Sequence, residues 1–278
     1  MANAKMTSEM IPALIQLAVA AGQEILAVYA TDFDVQPKAD ASSVTQADYL
    51  AEAVILAGLS ELAPGIPVVA EEEAAAGRVP DTGDRFFLVD PLDGTREFIC
   101  RNGEFTVNIA LIEHGVAVLG VVYAPALGTL YAGCIGVGAQ KAEVRGGVVG
   151  PLVSIATRIA PRDGLAAVGS RANGADATQA WLARLPVGSF VSAGSSLKFC
   201  LLAEGAADIY PRLGRTMEWD TAAGDAVLRA AGGIVTRMDG AQLSYGKCQQ
   251  PSESPYANPH FIAYGDPRLA QAVAELPG

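Results

Sequence analysis

Asp90-Pro91-Leu92-Asp93-Gly94-Thr95 is the stretch on which the fold turns. It follows Phe86-Phe87-Leu88-Val89, an apolar run bounded by turn residues that predicts a short buried strand. Two carboxylates three positions apart stand where that strand is expected to end. Along a regular strand, positions i and i+3 face opposite ways, whereas in a turn they converge. Pro91 opposes continuation of the ladder, and Gly94 supplies backbone freedom after the second acid. Thr95 suits the N-cap of a following helix. The loop thus offers two carboxylates, a carbonyl, a hydroxyl and a helix N-terminus. Such donors suit a hard divalent cation beside an anion such as phosphate. Taken alone, an Asx turn with an ordinary cap accounts for the hexapeptide too.

On the N-terminal side, a helix is expected over residues 10–29, capped by Thr7 or Ser8, with Pro12 in its opening turn. A polar connector leads to a second helix over 45–59. Pro64-Gly65 then breaks the chain before a strand over 66–70, which runs into Glu71-Glu72-Glu73 and a small-residue loop over 74–83. On the C-terminal side a short helix is expected over 96–100. Apolar runs at 105–112, 116–123 and 129–135, punctuated by turns, predict an antiparallel meander. Beyond Gly150 short strands (166–169, 207–210) alternate with helices (176–185, 195–203, 221–231). Two lobes are therefore expected, residues 1–150 and 151–278, in a mixed α/β chain.

The 278 residues are 51% hydrophobic, enough for a sizeable core, and carry a net charge of −11 without a Lys/Arg cluster. A nucleic-acid polymer or an anionic membrane is thereby disfavoured as a partner. A small phosphate ester still fits if metal ions invert the local sign. Four scattered cysteines and two histidines make no zinc spacing. Free thiols fit a reducing compartment, the cytoplasm, with peripheral contact at the inner membrane left open. Residues 11–22 faintly imitate a signal segment. Glu9 and a helical apolar stripe running on to Tyr29 argue against that, and no uninterrupted apolar run is long enough to span a bilayer.

Other acids share the context of Asp90 and Asp93, at the end of an apolar run or the start of a helix. Glu71 follows Pro67-Val68-Val69-Ala70, Asp220 precedes Thr221-Ala222-Ala223-Gly224, and Asp48 follows Val44-Thr45. Singly, each is explained equally well as a cap or a solvated acid. Gathered at ~4 Å, each pair would repel by ~4 kcal/mol at an effective dielectric near 20. Cations offset that, and two metals bridged by one carboxylate form a recurrent phosphoester-hydrolysing site.

Glu71-Glu72, Asp90-Pro91-Leu92-Asp93-Gly94-Thr95 and Trp219-Asp220-Thr221-Ala222-Ala223-Gly224, in this order, resemble the signature of the inositol monophosphatase-like superfamily of Mg2+-dependent, lithium-sensitive phosphatases. The resemblance implies the layered αβαβα sandwich of the inositol monophosphatase and fructose-1,6-bisphosphatase type. It also implies two or three Mg2+ ions per site. One would be held by Glu71, Asp90 and the Leu92 carbonyl, another by Asp90, Asp93 and Asp220. Thr95, with Asp48 or Glu71, would hold and deprotonate the attacking water. Glu71, Leu92, Asp93, Gly94, Thr95 and Asp220 would face the phosphate.

Gly194-Ser195-Ser196-Leu197-Lys198-Phe199-Cys200 and Ala203-Glu204-Gly205-Ala206-Ala207-Asp208-Ile209-Tyr210-Pro211-Arg212 most resemble the bacterial 3'(2'),5'-bisphosphate nucleotidase branch, as does Asn258-Pro259-His260-Phe261. That branch implies contacts to a phosphorylated nucleotide from Ser195, Lys198 and Arg212. The basic residues would anchor a second phosphate. The implied reaction removes the 3'-phosphate of adenosine 3',5'-bisphosphate, with the sulfated analogue PAPS as a second substrate, in sulfur assimilation. Asn173 stands where many relatives carry histidine, which alters the expected base or ribose contact. An inositol or broad sugar phosphatase, and a non-catalytic metal- or phosphate-binding module, are the alternatives.

Overall fold

A computed structural model describes residues 7–37, 43–170 and 175–274. Helix α1 (Ile11–Tyr29) opens the fold, followed by the strands β1 (Gln36–Pro37) and β2 (Ser43–Val44), which pair with each other, and by helix α2 (Gln46–Leu62). Next come strand β3 (Val68–Ala70), helix α3 (Glu71–Ala75), strand β4 (Arg85–Asp93) and helix α4 (Thr95–Ile99). Strands β5 (Thr106–Glu113), β6 (Val116–Ala124) and β7 (Thr129–Cys134) form the expected antiparallel meander, and β8 (Gly138–Arg145), which had no expectation behind it, extends it by a fourth antiparallel strand. The short strands β9 (Val148–Val149) and β10 (Val153–Ile155) both pair with β8 and complete an eight-stranded sheet, in which β3 alone runs parallel to its neighbour β4.

The second sheet has five strands in the order β12-β11-β13-β15-β14: β11 (Leu165–Gly169), β12 (Val187–Ser192), β13 (Ile209–Arg212), β14 (Ile234–Arg237) and β15 (Phe261–Tyr264). Its helices are α5 (Ala175–Leu182), α6 (Leu197–Ala203), α7 (Glu218–Ala230) and α8 (Pro267–Ala274). Three apolar interfaces stack these elements. Leu14, Ile25, Ile55 and Leu59 of α1 and α2 pack on Phe87, Val89, Ile109 and Val121. The alternate residues Phe86, Leu88, Ala110 and Val122 face Phe199 of α6, Ala223 and Val227 of α7, and Tyr210 and Phe261 of the second sheet. Leu182 and Leu269 cover Ile209 and Ile262 on the far side. The strand period of two therefore builds the expected αβαβα sandwich.

Several local expectations are corrected. β4 does not stop at Val89 but continues through Pro91 to Asp93. Asp90 pairs with Asn108 and Asp93 with Thr106, so three steps on β4 face two on β5. The extra residue is a β-bulge, and Pro91 is tolerated there because no regular ladder bond is demanded of it. Gly94, not Thr95, is the N-cap of α4; it is left-handed (φ 91°), and Thr95 is the first helical residue. The acids at 71–73 open α3 rather than close a strand, as a helix N-terminus favours. Neither Thr7 nor Ser8 caps α1, whose cap position is Met10 with no side-chain bond. β12, β14, β15 and α8 had no expectation behind them. α1 is long and apolar enough to cross a membrane by length and composition, but Gln16, Gln23 and Glu24 interrupt its apolar run and its stripe is buried against α2 and the first sheet.

Candidate active site

The bulge does for the two acids what a turn was expected to do. Thr106 and Asn108 lie two apart on β5 and so share a face. Their partners Asp93 and Asp90 are thereby brought to one side of the sheet. Asp90 is buried, its Oδ1 accepts the Leu92 N–H at 3.0 Å, and its carboxyl shares a hydrogen bond with Glu71. Burial pushes the Asp90 carboxyl well above the ordinary carboxylate range, and the charges of Glu71, Asp93 and Asp220 push it the same way.

Asp220 arrives from the other half of the chain, in the first turn of α7, where its Oδ2 accepts the Met217 N–H at 2.8 Å. Its carboxyl too is raised well above normal, by burial, then by Asp93 and Glu71. Four acids scattered over 150 positions of sequence therefore share one field, and the excess negative charge has hard oxygen donors that fit Mg2+. Among the described residues no three His, Cys, Asp or Glu side chains already stand at mutual cation-holding spacing. Asp93 Oδ2 is drawn instead to Ser195 Oγ at 2.5 Å, Ser196 Oγ at 3.3 Å and Asn108 Nδ2 at 3.4 Å.

A cleft of about 670 Å³ opens beside this cluster. Glu71, Asp93, Gly94, Thr95 and Asp220 line it together with Ser195, Lys198, Arg212 and Arg215, while Asp90 and Leu92 lie buried and do not line it. Arg212, at the end of β13, is buried and donates from Nη2 to the Arg215 carbonyl at 3.0 Å. Its buried Nε–H meets no acceptor among the described residues. An unpartnered guanidinium donor is costly to bury and fits an anion entering the cleft. Lys198 is also buried. Its Nζ donates to the carbonyls of Ser195 (2.5 Å) and Ala193 (3.3 Å), and burial lowers its pKa to about 8.

Asp48 does not line the cleft. It is buried at the start of α2, where its Oδ2 accepts both the N–H and the hydroxyl of Thr45 at 2.8 Å and Thr45 Oγ1 accepts the Ala47 N–H. That is a capping box with Asp in the Glu position. Asn173 lies outside the described residues; its neighbour Ser170 does line the cleft.

Sequence reasoning missed Glu52 and Asn108. Glu52, one turn beyond Asp48 on the buried face of α2, accepts the N–H groups of Glu72 (2.9 Å) and Glu73 (3.0 Å) and so ties down the start of α3 beside Glu71. Burial raises its pKa to about 7, with the charges of Glu73 and Glu71 adding to the effect. The spacing Asp48…Glu52 on an otherwise apolar helical face was the available signal. Asn108 sits inside an apolar strand opposite Asp90, and a lone amide there is the corresponding signal.

The chain is 46% identical over 254 residues to the 3'(2'),5'-bisphosphate nucleotidase CysQ of Escherichia coli K12, covering 91% of this chain and 98% of that protein. It is 48% identical to the CysQ of Salmonella typhimurium over the same shares. Among solved structures it superposes on CysQ from Bacteroides thetaiotaomicron, described as a bacterial member of the inositol monophosphatase family. The TM-score is 0.73 at 38% identity, covering 92% of this chain and 97% of that one. An inositol monophosphatase from Zymomonas mobilis shares the fold at TM-score 0.73 and 25% identity, over 97% and 98% of the two chains. The pattern of the inositol monophosphatase family itself matches residues 6–275. With its motifs, its layers and its relatives in agreement over almost its whole length, the chain belongs to the inositol monophosphatase family.

Proposed function

We propose that this chain is a Mg2+-dependent 3'(2'),5'-bisphosphate nucleotidase. It removes the 3'-phosphate of adenosine 3',5'-bisphosphate, leaving AMP and inorganic phosphate, and accepts PAPS as a second substrate. Relatives bearing the nucleotidase name at 46–48% identity support the reaction class. The observation that carries the substrate assignment is the cleft itself. One cleft is lined both by Glu71, Asp93 and Asp220 of the acid cluster and by Arg212, whose buried Nε–H lacks an acceptor. A substrate with two phosphates uses both features, whereas inositol monophosphate leaves Arg212 unused.

In this reading Glu71, Asp90 and the Leu92 carbonyl would hold one Mg2+, and Asp90, Asp93 and Asp220 would hold another. Ions bound there would supply neutralisation of phosphate charge and a more acidic water. The Thr95 hydroxyl orients the attacking water and the Glu71 carboxylate takes its proton, while Asp48, engaged by Thr45, fixes the start of α2. The N–H groups of Gly94 and Thr95 receive phosphate oxygens; in the in-line attack the water oxygen bonds to phosphorus as the phosphorus–3'-oxygen bond breaks, and the departing 3'-oxygen takes a proton from solvent water to become the ribose hydroxyl. Arg212 holds the 5'-phosphate. Residues 1–150 contribute the acids up to Thr95, and residues 151–278 contribute Asp220 and the nucleotide side. The four cysteines are unpaired, in keeping with a cytoplasmic enzyme.

The test compares kcat/KM for adenosine 3',5'-bisphosphate and inositol 1-phosphate, with Mg2+ and with EDTA. A charge-assisted hydrogen bond is worth about 1.5–3 kcal/mol, so a preference of at least about tenfold for the bisphosphate is expected. Equal values would replace this reading by a broad phosphatase, and full activity in EDTA would remove the metal site.

A further inference from the structure

Residues 244–258 form no helix or strand and line no part of the active-site cleft, yet they are bound at both ends to the start of α7. Glu218, wholly buried in the first turn of α7, accepts the N–H groups of Gly246 (2.6 Å) and Lys247 (2.8 Å) and pairs with Lys247 Nζ at 2.7 Å. Further along, the Glu218 N–H is donated to the Tyr256 carbonyl at 2.8 Å, and the Asn258 N–H to the Thr216 carbonyl at 2.9 Å. Between these anchors Tyr256 is left-handed (φ 61°), which a bulky residue adopts only where its surroundings hold it there. The Lys247 carbonyl accepts its N–H at 2.9 Å, the Trp219 ring lies 6.1 Å from its own, and its hydroxyl shares a hydrogen bond with Thr82, in the connection between α3 and β4. The stretch therefore links the connection that leads from Glu71 to Asp90 with the helix that carries Asp220.

Asn258 completes the link from inside. It is buried, and its Oδ1 accepts from Lys247 Nζ at 3.3 Å. With the oxygen so engaged, Nδ2 faces the start of α7: it donates to the Met217 carbonyl at 2.7 Å and lies 3.0 Å from Thr221 Oγ1 and 3.3 Å from Thr216 Oγ1. Met217 is also the residue whose N–H is held by Asp220 Oδ2 at 2.8 Å. One residue is thus gripped on both sides, its N–H by the acid and its carbonyl by Asn258, and Thr221 beside the acid is gripped as well. We infer that Asn258 is a positioning residue for Asp220: through Met217 and Thr221 it fixes the first turn of α7, and with it the carboxylate offered to the cation, while touching neither cation nor substrate. The inference rests on the Mg2+ assignment above and extends it to a residue outside the cleft. Groups that orient a metal ligand typically govern metal affinity or activity by about 10–100-fold.

The experiment compares the full-length wild type with Asn258→Leu, which keeps the volume and removes both hydrogen-bonding ends, and with Asn258→Ala. Leu14→Ala, which opens a cavity under α1 far from the acids, controls for stability alone. Each protein is titrated calorimetrically with Mg2+ alone, melted, and assayed for kcat and KM with the bisphosphate at saturating Mg2+. Both Asn258 variants are expected to weaken Mg2+ binding by about tenfold or more and to lower kcat by a similar factor. KM should stay within about twofold, since no substrate contact is removed. Leu14→Ala should lower Tm at least as far and leave Mg2+ affinity within about twofold, as an independent site does. Wild-type Mg2+ affinity in either Asn258 variant overturns the inference. An equal loss in Leu14→Ala overturns it too, because the effect would then be one of stability, as does a raised KM with unchanged kcat, which would make Asn258 a substrate contact. If Asn258→Leu does not fold, Asn258→Ala decides. A wild type that binds Mg2+ but does not hydrolyse the bisphosphate removes the nucleotidase reading alone, whereas one that binds no Mg2+ removes the metal reading and this inference together.

Discussion

Gly120→Ala is expected to damage stability and turnover together, although the residue touches no substrate. Gly120 lies in the middle of β6, where α7 crosses the first sheet. A Cβ built there falls 2.4 Å from the Ala223 carbonyl oxygen and 2.9 Å from Ala226 Cβ. Ordinary contact begins near 3.4 Å, so the helix must retreat by about 1 Å. The strand backbone at Gly120 is not in the left-handed region, so the effect is steric rather than conformational. Overpacking of this kind costs about 1–3 kcal/mol, offset by about 0.4–1 kcal/mol from the stiffer unfolded chain. A net loss of about 1–2 kcal/mol corresponds to a fall in Tm of roughly 2–8 °C. α7 also carries Asp220 one turn before Ala223. A displacement of about 1 Å at a catalytic constellation can cost up to about 100-fold, and a partial shift of Asp220 should cost about tenfold in kcat. Differential scanning calorimetry and steady-state kinetics on the purified variant measure both. Unchanged Tm with unchanged kcat would refute the claim that the seating of α7 on the glycine surface sets the position of Asp220.

Two further predictions concern the acids. Asp93→Asn should abolish turnover and Mg2+ binding while leaving Tm within a few degrees, and a variant with normal calorimetric Mg2+ affinity would remove Asp93 from the ligand set. Burial pushes the Glu52 carboxyl up from the ordinary range near 4.5 to about 7, so folding favours its protonated form. Its contribution is therefore fully present below about pH 4.5 and is lost as pH rises through 7. In EDTA, the difference in unfolding free energy between wild type and Glu52→Gln should change steadily between those values, and a pH-independent difference would show that Glu52 does not titrate there.

How much of this was legible in the sequence differs by type of information. The strand before Asp90, the meander and the αβα alternation follow from periodicity and turn residues, which are local properties. The motifs at Glu71, Asp90–Thr95 and Asp220 marked the site by residue type. The details of their assembly were not local. Pro91 read as a strand stop, but the bulge opposite Val107 absorbs it and turns Asp90 and Asp93 to one side. Lys198 reads as a phosphate anchor in one dimension; folding lines the cleft with it beside Arg212 and also brings the carbonyls of Ala193 and Ser195 onto its ammonium, which no spacing shows. Glu52 and Asn108 acquire their roles through partners on other elements, twenty positions away for Glu52 and Glu72 and about ninety for Asn108 and Ser196.

By itself the order of residues determined which acids the chain brings to its site and the strands and helices that carry them, because residue type and periodicity survive without coordinates. The tertiary structure alone decided which oxygen of Asp93 is taken and which guanidinium nitrogen stays unpaired. Those outcomes depend on distances across the β4–β5 bulge and the α6 turn, and no spacing in the sequence encodes them.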